Sequence, residues 1–274
     1  MPGSERPYSD LLADILAVTD AAGALAMTWW VAGAPMHGHW EKRPGEPVSE
    51  ADIAVDALLR EQLGTLLPDA AWLSEESAQS LERAAARRAW IVDPIDGTRD
   101  FVRGRPGWAV SVALIEDGVS VVGVLIAPAR SERWWAVRGE GAWRERSGQP
   151  AERLAVGSHA TLSGARVPLD HMGGIDVDYR MVAKPNSIAL RMAMVAADEA
   201  DLVAGLRRGA EWDLAAAALI AQEAGARVTD ALGEPIIFNK ADPYVTGMLC
   251  AVPALHDAGL GRLRARALKL LRQG

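Results

Sequence analysis

One stretch of the chain indicates both fold and chemistry: Trp90-Ile91-Val92-Asp93-Pro94-Ile95-Asp96-Gly97-Thr98-Arg99-Asp100-Phe101. Apolar residues that favour β-structure lead to Asp93, and Pro94 and Gly97 predict a turn there. Two carboxylates so close together repel each other, which costs stability unless a cation, a proton or a hydrogen-bond donor compensates the charge. Oxygen ligands of this kind suit Mg²⁺ better than zinc. The stretch therefore predicts a magnesium site at a strand end.

The composition predicts a globular protein without a membrane or nucleic-acid partner. The chain has 274 residues, of which 50% are hydrophobic, and its formal net charge is −7. Its apolar runs are shorter than the ~20 residues that span a bilayer. A binder of nucleic-acid polymers would carry excess positive charge. The N-terminus does not resemble a secretory leader, and the single cysteine, Cys250, fits a reducing compartment, so we expect a cytoplasmic protein.

The hydrophobic pattern alternates between helical and strand periods. It predicts helices over 8–33, 49–67, 187–197, 213–224 and 253–271, and strands over 71–73, 90–92, 108–115, 119–126, 133–137, 165–168, 202–203 and 226–229. Ser49 is the predicted N-cap of the second helix. Glu116-Asp117-Gly118 predicts a hairpin in an antiparallel block. The only candidate boundary lies near residue 150, giving an α+β half over 1–150 and an α/β half over 151–274.

Acidic residues recur where apolar elements begin or end. Glu75 and Glu76 follow one strand, Asp93 and Asp96 another, and Asp213 opens a helix. If these acids converge, they would hold two or three divalent cations around a phosphate ester, with one cation activating water and another stabilising the leaving oxygen.

Neighbouring residues would complete such a site. The Thr98 hydroxyl, with Asp52, could relay a proton from the attacking water. The amides of Gly97 and Thr98 could contact phosphate oxygens at the start of a helix. The acids and these groups together predict metal-assisted hydrolysis of a phosphate ester.

Three motifs resemble those of the inositol monophosphatase superfamily. They are Asp93-Pro94-Ile95-Asp96-Gly97-Thr98, Leu73-Ser74-Glu75-Glu76, and Trp212-Asp213-Leu214-Ala215-Ala216 with Glu223-Ala224-Gly225 after it. Their order and spacing match the superfamily over residues 49–230. The resemblance implies an α+β fold, the layered αβαβα sandwich, and Mg²⁺-dependent phosphomonoester hydrolysis that lithium usually inhibits. Members are often dimers, so a homodimer is a candidate assembly, although no motif marks an interface.

The resemblance also implies roles for individual residues. Glu75, Asp93 and the Ile95 carbonyl would hold one Mg²⁺, and Asp93, Asp96 and Asp213 a second, with Glu75 near a third. Gly97, Thr98 and Asp213 would bind the substrate, and Asp52, in a segment similar to the family's, would work with Thr98. Simpler structural roles compete at some positions: Asp52 suits a capping box with Ser49, and Glu76 and Lys42 suit solvated loop positions.

Local cues favour one small phosphorylated substrate over others. Ser74-Glu75-Glu76 and Thr98-Arg99-Asp100-Phe101 are closest to the bacterial 3′(2′),5′-bisphosphate nucleotidase branch. Leu206 stands where inositol enzymes often carry Glu, with Arg207 and Arg208 beside it, and Arg191 falls near a nucleotide-enzyme lysine. We therefore expect hydrolysis of 3′-phosphoadenosine 5′-phosphate.

Other cues keep alternatives open. The segment Asn186-Ser187-Ile188 departs from the nucleotidase pattern, and 104–108 is similar to the histidinol-phosphate branch. An inositol-1-monophosphatase or a histidinol-phosphate phosphatase with the same mechanism is the alternative, followed by a non-catalytic relative that binds a phosphorylated metabolite.

Overall fold

The computed structural model describes residues 7–36, 38–43, 46–77, 81–171, 178–206 and 208–271. Arg207, which the sequence singled out, lies outside these ranges. The helices within them are α1 (Tyr8–Met27), α2 (Glu50–Leu66), α3 (Thr98–Phe101), α4 (Ile188–Ala196), α5 (Glu211–Glu223) and α6 (Pro253–Leu271). No helix in these ranges is long and apolar enough to cross a membrane.

The strands form one large sheet and several small ones. They are β1 (His39–Arg43), β2 (Glu46–Ser49), β3 (Ala71–Ser74), β4 (Arg88–Asp96), β5 (Ala109–Glu116), β6 (Val119–Ala127), β7 (Glu132–Val137), β8 (Gly141–Arg146), β9 (Glu152–Arg153), β10 (Arg166–Pro168), β11 (Arg180–Val182), β12 (Leu202–Gly205), β13 (Gly209–Ala210), β14 (Arg227–Thr229), β15 (Tyr244–Val245) and β16 (Met248–Ala251). Strands β3 to β9 form the large sheet in chain order, with β3 and β4 parallel and all other neighbours antiparallel.

Helices and sheets stack in five layers. Helices α1 and α2 cover one face of the large sheet, and α5, with α4 beside it, covers the other. The small antiparallel sheet β12-β16-β14 lies beyond α4 and α5, and α6 covers its outer face. This order of layers confirms the predicted αβαβα sandwich. A single core cluster joins Ile91 and Trp134 to Ala217 and Leu249, so the two sides of residue 150 share packing. The division into two halves stays a prediction.

Close contact between α5 and the large sheet explains the small residues in both. A Cβ on Gly123 of β6 would lie 2.7 Å from the Ala216 carbonyl oxygen, so only glycine fits there without a shift. The Ser120 hydroxyl donates to the Ala215 carbonyl at 2.9 Å. Alanines on α5 permit this approach. The result is a helix held firmly against the sheet, with its N-terminus at the candidate site.

Several predicted boundaries need correction. Helix α1 ends at Met27 rather than residue 33, because Trp29 and Trp30 donate to carbonyls three residues back, as in tight turns. Strand β4 runs on through Asp96 with a register shift after Asp93, whereas a turn was predicted there. Helix α5 begins two residues earlier than predicted. The hairpin is confirmed, with positive φ at Asp117 and Gly118.

The C-terminal helix has the predicted span, and the residues of its basic face that the structure describes are paired rather than free. Arg262 donates to Asp178 at 2.6 Å and lies over the Tyr179 ring, and Arg264 donates to the Leu232 carbonyl. The side chains of Arg266 and Lys269, and all of Arg272, lie outside the described part. Cys250 is a core residue, and burial raises its pKa to about 12.

Candidate active site

Strand alternation brings the acids together. Leu73 of β3 and Ile91 of β4 are register partners, and both belong to the core packed by α5. Because alternate residues of a strand share a face, Glu75 and Asp93, each two residues further on, leave their strands on that same side. Helix α5 carries Asp213 in its first turn. The three acids therefore meet where β3, β4 and α5 end or begin.

The acids form a compact group. Glu75, Asp93 and Asp213 each offer one carboxylate oxygen, and these oxygens lie within 4.8 Å of one another. Carboxylates this close repel each other when both are ionised, so each favours the protonated form of its neighbour. Burial, followed by the neighbouring carboxylates, raises the pKa of Asp93 and of Asp213 well above the usual range. Burial raises the pKa of Glu75 to about 7 against the lowering effect of Lys42.

This donor set fits a divalent cation. The group offers only carboxylate oxygens, which hard cations such as Mg²⁺ prefer. Ionising all three acids is costly, because they are enclosed by the protein and lie close together. A cation between the oxygens would supply that compensation, since opposite charge lowers the pKa of an acid.

Asp96 faces a different partner. Its carboxylate accepts hydrogen bonds from the Ser187 hydroxyl at 2.5 Å and from the backbone N–H groups of Ala189 at 2.8 Å and Ile188 at 3.3 Å. Burial raises its pKa, and these donors oppose the rise. Asp96 thus anchors the N-terminus of α4, and it lies outside the three-oxygen group. The proposed metal-ligand role of Asp96 stays a prediction.

The phosphate-binding loop predicted after Asp96 has a fixed backbone. Gly97 adopts φ +94°, and a Cβ there would lie 2.7 Å from the Gly107 carbonyl oxygen and 2.8 Å from the Ser187 nitrogen. Only glycine fits this conformation and this space. The helix after it, α3, is a single turn, so its dipole contributes little. The Ile95 carbonyl, a predicted metal ligand, accepts the Thr98 hydroxyl at 3.0 Å.

Asp52 has the helix-capping role that was the simpler alternative to a catalytic one. Its carboxylate accepts the Ser49 N–H at 2.8 Å and the Ser49 hydroxyl at 2.6 Å, as a capping box requires. Burial raises its pKa to about 6 despite these donors. Its field also raises the pKa of Asp93 and Glu75, so it lies near the acids. The single proton of the Thr98 hydroxyl points to Ile95, so the predicted Asp52–Thr98 relay stays a prediction.

The sequence interpretation was wrong for Glu76, whereas Lys42 is exposed as expected but has partners that the sequence did not indicate. Glu76 is not a solvated acid, because only 3% of its side chain is exposed and it pairs with Lys42. Lys42 also lies 3.7 Å from Glu75. The hairpin of β1 and β2 therefore places a cation beside the acidic group. Spacing alone could not show this, since Lys42 and Glu75 lie far apart in the chain.

The arginines predicted to bind substrate have protein partners. Arg191 donates through Nε to the Pro185 carbonyl at 2.9 Å and through a second nitrogen to the Asn186 carbonyl. Burial lowers its pKa, and Asp96 and other nearby carboxylates oppose this. It therefore holds the segment before α4 close to the acids. Arg208 pairs with Asp242 and lies 4.3 Å over the Tyr244 ring.

Two supporting clusters were missed from the sequence. Asp56 of α2 accepts the hydroxyls of Ser74 and Ser77 and so holds the turn that carries Glu75. Fully buried Glu211 accepts the Asn239 N–H at 2.6 Å, two residues before Asp213. The helical position of Asp56, one turn after Asp52, was the only sequence signal.

Comparison with known proteins agrees with this geometry. The Inositol monophosphatase family profile matches residues 11–268. A histidinol-phosphatase of Mycobacterium tuberculosis is 38% identical over 232 residues, covering 80% of this chain and 85% of that protein. The 3′(2′),5′-bisphosphate nucleotidase CysQ of Salmonella typhimurium is 31% identical over 246 residues, covering 86% and 96%. The structure of the Thermotoga maritima IMPase superposes with a TM-score of 0.78 at 27% identity, covering 95% and 99%.

The layered fold and its acidic group define a phosphatase of the metal-dependent sandwich class. The chain belongs to the inositol monophosphatase family. The predicted superfamily, its likeness to the CysQ enzymes and the phosphatase activity are thereby confirmed.

Proposed function

We propose that this chain is a Mg²⁺-dependent phosphomonoesterase that hydrolyses 3′-phosphoadenosine 5′-phosphate to AMP and phosphate. The observation that carries the proposal is the convergence of Glu75, Asp93 and Asp213 to within 4.8 Å, beside the Gly97–Thr98 loop. Such a group can hold cations and, through them, a phosphate ester.

The residues have distinct tasks in this proposal. Glu75, Asp93, Asp213, the Ile95 carbonyl and Asp96 would hold two or three Mg²⁺ ions. When bound, Mg²⁺ supplies Lewis acidity and lowers the pKa of bound water. Gly97 and Thr98 orient the phosphate.

Asp52 is the proposed proton acceptor. Its pKa of about 6 suits a general base near neutral pH, because a base is most effective when its pKa lies close to the working pH. Thr98 stays its proposed partner, by rotation of its hydroxyl away from Ile95.

Three features support the bisphosphonucleotide as substrate. The motifs Ser74-Glu75-Glu76 and Thr98-Arg99-Asp100-Phe101 are of the nucleotidase kind, and a CysQ enzyme aligns along 86% of this chain. Arginine side chains near the site, Arg99 and Arg191, supply positive charge for a second phosphate.

We also propose a cytoplasmic homodimer.

Histidinol phosphate is the second candidate. The relative from Mycobacterium tuberculosis, named a histidinol-phosphatase, is 38% identical to this chain, against 31% for the Salmonella nucleotidase. Residues 104–108, which are similar to that branch, lie at the loop after α3.

The test is phosphate release from 3′-phosphoadenosine 5′-phosphate, histidinol phosphate, inositol 1-phosphate and fructose 1,6-bisphosphate, each with Mg²⁺ and with EDTA. We expect the highest kcat/KM for the nucleotide and no turnover in EDTA. Preference for histidinol phosphate would overturn the substrate and leave the metal chemistry intact. Equal rates with and without EDTA would overturn the metal role.

A further inference from the structure

A sizeable cavity lies apart from the acidic group. It has a volume of about 730 Å³ and lies between the loop after α3 and the segment before α4. Its lining includes five cationic side chains: Arg99, Arg103, Arg105, Arg130 and Lys184. A cavity with this lining is unusual in a chain whose net charge is −7. It is therefore a local site of positive charge.

The carboxylates of this cavity are already engaged. Glu199 accepts Arg144 at 2.5 Å, and Asp170 pairs with Lys184. Asp100 accepts the N–H of Asn186 at 3.0 Å.

Two arginines keep free hydrogen-bonding capacity. The Asp100 carboxylate lies 4.0 Å from Arg105, whose side chain is 64% exposed. Arg103 is exposed and makes no ion pair among the residues that the structure describes. Arg103 and Arg105 therefore have donors available for a ligand.

The backbone of the loop that carries Arg103 and Arg105 is fixed. Gly104 between them has φ +65°, and a Cβ there would lie 2.4 Å from the Val31 carbonyl oxygen. Its carbonyl accepts the Gly33 N–H at 2.8 Å, and the Arg105 N–H donates to the Asp100 carbonyl at 2.8 Å. A rigid backbone reduces the entropy lost when the side chains bind an anion.

We propose that this cavity binds a phosphate-bearing anion through Arg103 and Arg105. Arginine pairs suit phosphate because the planar guanidinium donates two parallel hydrogen bonds. The anion is either the distal phosphate of a substrate or a separate phosphorylated effector. The site does not depend on which ester is hydrolysed.

The cavity wall adjoins the catalytic region. Asn186, which donates to Asp100 at the cavity, is followed by Ser187, whose hydroxyl holds Asp96. An anion bound beside Asn186 would therefore lie next to Ser187, the residue that holds Asp96 at the start of the Asp-Gly-Thr loop.

The binding test uses inorganic pyrophosphate in EDTA, where the cation-free acidic group repels the anion. We expect Arg103→Gln with Arg105→Gln to weaken binding measured by calorimetry about tenfold or more. The control, Arg138→Gln with Arg153→Gln, removes the same charge from exposed positions outside the cavity and should bind like the wild type. Equal affinity in both double variants, or no binding by the wild type, would overturn the proposal.

Kinetics with Mg²⁺ distinguish the two sources of the anion. If it is the distal phosphate of the substrate, the Arg103/Arg105 variant raises KM for a bisphosphate and leaves KM for a monophosphate unchanged. If the anion is a separate effector, the Arg103/Arg105 variant leaves both KM values unchanged. Pyrophosphate then alters the turnover of a monophosphate by the wild type but not by that variant. Either pattern supports the cavity, and a wrong substrate assignment would not change the binding result in EDTA.

Discussion

The Ser187 hydroxyl donates a 2.5 Å hydrogen bond to Asp96, a residue 91 positions earlier in the chain. The same hydroxyl accepts the Leu190 N–H at 2.9 Å as the N-cap of α4. One serine therefore connects the Asp-Gly-Thr loop of the large sheet to the helix layer between the sheets. A movement of the Asp96 carboxylate would therefore break its hydrogen bond to Ser187.

Replacing Ser187 tests that connection. Ser187→Ala removes both the cap and the donor to a buried carboxylate, so we expect a loss of about 1–3 kcal/mol in the free energy of unfolding and a lower kcat. Ser187→Thr keeps the hydroxyl and should retain most of both. Urea denaturation and phosphate release measure the two effects. Wild-type stability and kcat in Ser187→Ala would show that the contact carries neither function.

Gly97 is expected to tolerate no side chain. Gly97→Ala places a Cβ 2.7 Å from a carbonyl oxygen in a left-handed backbone, so we expect about 1–3 kcal/mol of destabilisation and a large fall in kcat. Gly64→Ala is the control, because that helical glycine has open space and should gain roughly 0.5–1 kcal/mol. Thermal denaturation of both variants compares them. A Gly97→Ala protein as stable and active as the wild type would contradict the loop geometry.

Asp93→Asn separates catalysis from folding. The change neutralises the most enclosed acid of the group, so turnover should vanish while the fold stays intact. Because a buried charge is costly, the metal-free variant should be at least as stable as the wild type at pH 8. Asp69→Asn, at a largely exposed position, is the matched control. Near-normal activity of Asp93→Asn at saturating Mg²⁺ would exclude its assignment as a ligand.

Stability without metal should fall as pH rises. The folded-state pKa of Asp52 is raised to about 6 and that of Glu75 to about 7, so the folded protein keeps protons that the unfolded chain releases. The stabilisation is complete below about pH 4 and is lost as pH rises through 6 and 7, which amounts to about 3 kcal/mol at most for Asp52. Melting in EDTA at pH 5.5 and pH 8 measures the difference.

The Asp52→Asn variant provides the control for this pH effect. It should reduce the difference in Tm between pH 5.5 and pH 8, since an amide does not titrate. Mg²⁺ should raise Tm more at pH 8, where the acids are charged. A higher Tm at pH 8 than at pH 5.5 in EDTA would contradict the raised pKa values.

The resemblance of the motifs predicted the layered fold, and local signals predicted many of its helices and strands. The apolar run at 90–92 and the Ser49 cap were sufficient to predict a strand and a helix, and the motifs selected Glu75, Asp93 and Asp213 as candidate ligands. Contacts between distant segments could not be predicted this way. The pairing of Lys42 with Glu76 depends on where a hairpin folds back. From the sequence, Asp96 was interpreted only as a metal ligand. Its carboxylate accepts a hydrogen bond at the N-terminus of α4, and this contact forms only when the layers stack.

Anomalous diffraction from crystals soaked with Mn²⁺ would show directly whether the three acids bind a divalent cation. Mn²⁺ takes the oxygen ligands of Mg²⁺ and can be located by its own signal. We expect a peak in contact with the carboxylates of Glu75, Asp93 and Asp213, and no such peak in Asp93→Asn. Strong Mn²⁺ sites elsewhere, with none among these three acids, would contradict it.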